Sequence, residues 1–107
     1  MNDPTYVEAA RFIAQRMLRE GGSSADERLI FAHRLVLARE PDEARLAVLR
    51  RALSRAQNDF ASDPVAAAAF IHFGDTPSDA GRPAIELAAY TALASTLLCM
   101  DETVTKQ

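Results

Sequence analysis

The sequence predicts an all-α protein: a compact bundle of about five helices with no β-sheet. Three observations predict it. Helix start and stop signals recur along the chain, apolar residues fall at spacings of three and four, and no stretch shows the alternation of a strand.

The first helix is expected to start at Asp3-Pro4, with Asp3 as N-cap and Pro4 at the first helical position, and to end at Glu20 before Gly21-Gly22. Tyr6, Ala10, Ile13 and Met17 give it one apolar stripe. Ser24 and Glu27 have capping-box spacing and open a second helix. Its apolar residues, from Leu29 to Leu37, cover most of the wheel, so this helix is expected at the centre of the bundle. Asp42 caps a third helix, from about Glu43 to Phe60, whose seam of Leu46, Leu49, Leu53, Ala56 and Phe60 should pack lengthwise on a neighbour. Asp63 caps a short fourth helix, "VAAAAFIHF", closed by Gly74. Residues 74–83, with two glycines and two prolines, read as a flexible loop, and Pro83 starts a fifth, alanine-rich helix that must be covered by others.

With 107 residues, the chain reads as one domain. Apolar residues at 49% and charged residues at 25% are ordinary for a folded globular protein. A net charge of -3 supplies no global positive field for a phosphate backbone, so nucleic acid is not an expected partner. The N-terminal stretch "MNDPTYVEAARF" lacks the basic leader and apolar core of a signal peptide. The apolar run from Leu87 to Met100 is about 14 residues against the roughly 20 needed for a bilayer, and reads as a core helix rather than a membrane span.

Little in the sequence points to chemistry. His33 and His72 have no second ligand at metal-binding spacing, so each reads as a packing or capping residue. Arg45, Arg50, Arg51 and Arg55 form the only basic cluster, but they do not share one stripe, and a solvated face explains them better than an acidic partner. Cys99, the only cysteine, excludes an internal disulfide and the paired-cysteine haem attachment motif. Asp101 and Glu102, being adjacent, point in different directions on a helix and make a poor carboxylate dyad. No catalytic, metal or cofactor-binding residue is therefore assigned. Asp101 instead continues the bulky side of the fifth helix. It is expected either to cap a new turn after the helix stops or to meet a buried arginine, Arg34 or Arg39, with Glu102 in the same structural anchor.

Three motifs carry a resemblance. Asn2-Asp3-Pro4, Tyr6 and Val7 to Arg11 match "NDP", an aromatic and "VEAAR"; Arg34 to Leu46 resembles "RLALGRPPTPEEL"; Leu97 to Lys106 resembles "LLNLDETLTK". Together they are similar to the C-terminal part of the planctomycete cytochrome-associated domain, a family of unknown function. The chain departs from that pattern at Arg45, where a capping acid is usual, at His33, where an aromatic is usual, and at Cys99 and Met100, which replace asparagine and leucine.

The resemblance implies an excerpt from the end of a longer multidomain protein, with Met1 marking the cut rather than a native start. It also implies a cell-envelope or exported location, and a haem that belongs to the parent protein and is not bound by this chain. The expected function is a non-enzymatic structural or docking module whose partners are other domains of the parent. Weak self-association through exposed apolar surface is a secondary expectation. The alternative is an accessory part of an enzyme site completed by upstream domains.

Overall fold

Local signals in the chain set the helix boundaries. In the computed structural model, which describes residues 4–71 and 82–105, with side chains described for 7–71 and 84–101, five helices follow one another: α1 (Pro4–Glu20), α2 (Ala25–Leu37), α3 (Glu43–Ser62), α4 (Pro64–Ile71) and α5 (Arg82–Thr105). No strand occurs among the described residues. Asp3, His72 and most of the expected 74–83 loop lie outside them, although Arg82 and Pro83 already belong to α5.

The α1–α2 junction needs its glycines. Gly22 has φ +111°, a backbone region that side chains with a Cβ rarely enter. Gly21 is buried where α1 meets α2, and a Cβ there would lie 2.5 Å from the Met17 carbonyl oxygen. The Ser24 hydroxyl then accepts from the Glu27 N–H at 3.1 Å, while the Glu27 carboxylate accepts from the Ser24 N–H at 3.1 Å, closing the capping box. At the next two starts, Asp42 accepts from the Arg45 N–H at 2.7 Å and Asp63 from the Ala66 N–H at 3.1 Å. Asp63 also terminates α3, so a single residue separates α3 from α4.

The expected centre was misplaced. Helix α5, not α2, is the hub, packing against each of the other four helices. Along it Ala88, Ala89, Tyr90, Thr91, Leu93, Ala94 and Leu97 are all buried, and the run from Ala88 to Thr91 turns through every direction of the helix. Helix α2 buries only Leu29, Ala32 and His33, and leaves Leu35 41% exposed. The wheel overrated α2 because it weighs large aliphatic residues. Alanines, which add little area each, let the backbones of α1, α3 and α4 come close to α5.

The main core joins Ala14 and Met17 of α1, Leu29 and Ala32 of α2, Leu49 and Leu53 of α3, and Tyr90, Leu93 and Leu97 of α5. Each large aliphatic buried there contributes about 1.5–3 kcal/mol. A smaller cluster of Ala67, Ile71, Ala84 and Ala88 seats α4 on the start of α5, and the stacked rings of Phe60 and Phe70, 5.6 Å apart, tie α3 to α4. The α3 seam packs as its spacing predicts: Leu49 and Leu53 are buried, and Leu46, Ala56 and Phe60 lie against the core.

One stretch among the described residues, Ala84–Asp101, is long and apolar enough to cross a membrane by length and composition, longer than the run from Leu87 that the sequence reading counted. Here it is the helix that the other four cover.

Helix α2 ends on an unusual residue. Ala38 sits in the left-handed region at φ 62°, ψ 24°, donating its N–H to the Arg34 carbonyl at 2.9 Å. That position ordinarily takes glycine, because a Cβ there costs roughly 1–2 kcal/mol. Ala38→Gly should therefore raise stability by roughly 0.5–1 kcal/mol after the added freedom of the unfolded chain is subtracted, read as an upward shift of the urea midpoint.

Candidate functional site

The richest polar cluster forms where α2 hands over to α3. A cavity of about 120 Å³ lies there, lined by His33, Arg39, Glu40, Pro41, Asp42 and Arg45. That volume is well below the roughly 300–1,000 Å³ of small-molecule pockets. The cluster's geometry is that of a tie.

His33, expected to be a packing residue, is 1% exposed. Its Nδ1 lies 2.6 Å from the Arg39 carbonyl, and its Nε2 lies 3.4 Å from Nη1 of Arg45. A carbonyl can only accept and a guanidinium can only donate, so Nδ1 carries the proton and Nε2 offers its lone pair. The same Arg45 nitrogen reaches Met100 Sδ at 3.7 Å. One histidine and one arginine thereby connect α2, the 38–42 connection, α3 and α5. With both ring nitrogens engaged, His33 has no free atom with which to take a proton from a substrate.

Other polar groups named by the sequence also hold helices together. Arg50 grips Asp26 through two hydrogen bonds of 2.8 and 2.7 Å, joining α3 to the start of α2. Arg28 donates to the Gly22 carbonyl at 3.1 Å, lies over the Tyr90 ring 5.6 Å from its centroid, and reaches the Tyr90 hydroxyl at 3.4 Å. Arg11, within the "VEAAR" stretch, donates at 2.6 Å to the carbonyl of Ile71, the last residue of α4. A cation there satisfies an orphan carbonyl and opposes the dipole of the helix end. Sequence reading missed Arg11 and Arg28 as ties, because Ile71 and Tyr90 lie 60 and 62 residues away.

Of the two arrangements expected for Asp101, the new turn does not form. Helix α5 runs on to Thr105, so Asp101 is a helical residue and does not cap a new turn. Arg34 and Arg39 are exposed rather than buried, while Asp101, itself half-buried, is not without a partner. The physical reason lies in position: the unfavourable dipole acts on the last turn, and Asp101 precedes that turn. The Glu102 side chain lies outside the described side chains. Cys99 is half-buried on the same helix.

Among the described residues, no group of three or more His, Cys, Asp or Glu side chains is placed to hold a metal ion. Every buried side-chain nitrogen and oxygen among them has a hydrogen-bond partner. Larger surface grooves include one of about 460 Å³ beside Phe31, Leu35 and Arg34, next to the tie, and one of about 440 Å³ along α3.

Comparison with family models, curated proteins and solved structures finds no match to this chain.

Three outcomes follow from the polar contacts. His33→Phe keeps a ring but removes both polar ends, and should cost about 1–3 kcal/mol in chemical denaturation; in the unaltered protein, nitrogen-resolved NMR of the neutral ring should show the Nδ1-protonated tautomer. Acid should also loosen the α2 start. The backbone N–H of Ser24, then that of Ser23, hold the Glu27 carboxyl below its usual range, and the Arg50 guanidinium does the same for Asp26. Their folded-state values are depressed, so their stabilisation is complete above about pH 4.3 and is lost as pH falls through the lower folded values. Thermal unfolding between pH 5 and 2 should show this loss, with a shallower slope for Glu27→Gln.

Proposed function

We propose that this chain is a non-enzymatic helical module that serves as a structural and docking element of a larger, cytochrome-associated protein. The observation that carries the reading is the use made of the polar side chains. His33, Arg45, Arg50 and Arg28, the groups best suited to chemistry by residue type, are spent on contacts between helices. A module of this kind offers a rigid surface rather than a reactive cavity.

Its surface has material for contacts. Phe12 on α1 is 58% exposed and Val65 on α4 is 79% exposed, with Leu35 and Val48 also open to solvent on α2 and α3. Large apolar side chains in water are the residues that protein partners most often cover. On this reading the partners are other domains of the parent protein. Haem, where the parent carries it, is held by those domains, and the envelope or exported location follows from the same family likeness.

The test compares the full-length parent with a version lacking this region in affinity capture from the source organism. Loss of defined partners with enzymatic activity unchanged is the expected result. Retained partners with lost activity would instead favour a contribution to an active site completed upstream.

A further inference from the structure

The four arginines of α3 divide into two pairs once their contacts are known. Arg45 is committed to His33 and Met100, and Arg50 to Asp26. Arg51 and Arg55 remain exposed, one helical turn apart on the same face. They stand on the rim of a groove of about 440 Å³ whose floor comprises Val48, Ala52 and Ala56 of α3 and Thr96 of α5.

We propose that this groove docks an acidic amphipathic helix of a protein partner. Shape and charge argue together. The floor is built of small side chains, which let a second helix approach closely, and Val48 at 44% exposure offers an apolar contact at one end. Carboxylates four residues apart on the incoming helix repeat at the same pitch as Arg51 and Arg55, so both pairs form together. The chain is acidic overall, yet no acid occurs between Ala44 and Asn58, so the two arginines on the rim outnumber its single acid, Asp59. Asp59, at the far end of the rim, repels a carboxylate there and gives the docked helix a direction. Two arginines beside an acid are too short a positive track for a phosphate backbone, and an aliphatic floor favours a partner with methyl groups.

This inference rests on the docking reading above and specifies its face. The experiment is fluorescence anisotropy of the 107-residue chain with a fluorescein-labelled helical peptide bearing glutamates four residues apart beside an alanine and leucine stripe. Saturable binding is expected. The double variant Arg51→Glu, Arg55→Glu should weaken it by about tenfold or more and should bind the lysine-for-glutamate peptide better than the unaltered chain does. Thr96→Trp fills the groove without changing charge and should weaken binding by a similar factor, with circular dichroism confirming that both variants keep their helices. The proposal is overturned by absent or non-saturable binding, by unchanged affinity in the double variant or in Thr96→Trp, or by tighter binding of a labelled single-stranded oligonucleotide. If peptide binding fails while the truncated parent still loses its partners, the docking reading stands and its face lies elsewhere.

Discussion

The structure depends on covering one helix. Between Ala84 and Leu97 only Glu86 and Thr96 are exposed, and the four-residue run Ala88–Thr91 is buried in every direction of the helix. A helix of that kind is stable in water only inside a ring of others, and α1, α2, α3 and α4 each supply a side of the ring. Even its buried hydroxyl is settled internally, since Thr91 donates to the Leu87 carbonyl at 2.7 Å. The amphipathic helices need α5 as much as it needs them. Ala14, Met17, Leu49 and Leu53 would otherwise present their stripes to solvent.

Apolar burial is not directional, so it does not by itself fix how the surrounding helices are placed. That task falls to polar ties. Arg28 sets the start of α2 against Tyr90, His33 and Arg45 set its end against α3 and Met100, and Arg11 sets α1 against the end of α4. Each tie joins a side chain to a backbone carbonyl or to a second helix, and each fails if the helices slide by one turn. Arg51 and Arg55 lie outside these ties, as do scattered exposed apolar side chains.

Helix starts were legible because capping is local. Ser24 with Glu27, Asp42 and Asp63 each act within three residues of the group they satisfy, so their spelling in the sequence carries their geometry. The α3 seam was legible for the same reason, through its spacing. The centre of the bundle was not. Leu35 looks like a core residue on a helical wheel but is partly exposed, whereas alanines of α5 look unremarkable and are fully buried, because small size governs how close helices come. Ala38 carries no sequence signal for a left-handed turn. The site was legible only as a set of residue types: that His33 turns to Arg39 and Arg45, rather than merely packing, depends on the path of the 38–42 connection, and that Arg51 and Arg55 are left over depends on partners chosen in three dimensions. The new turn expected at Asp101 is not formed because α5 continues as helix to Thr105.

The claim that α5 is the hub is tested most directly by native-state hydrogen exchange resolved by residue. The account predicts that amides from Leu87 to Leu97 are the slowest in the protein and exchange only through global unfolding, while those of α2 and α4 open earlier through smaller fluctuations. Strongest protection in α2, with α5 exchanging by local opening, would contradict it.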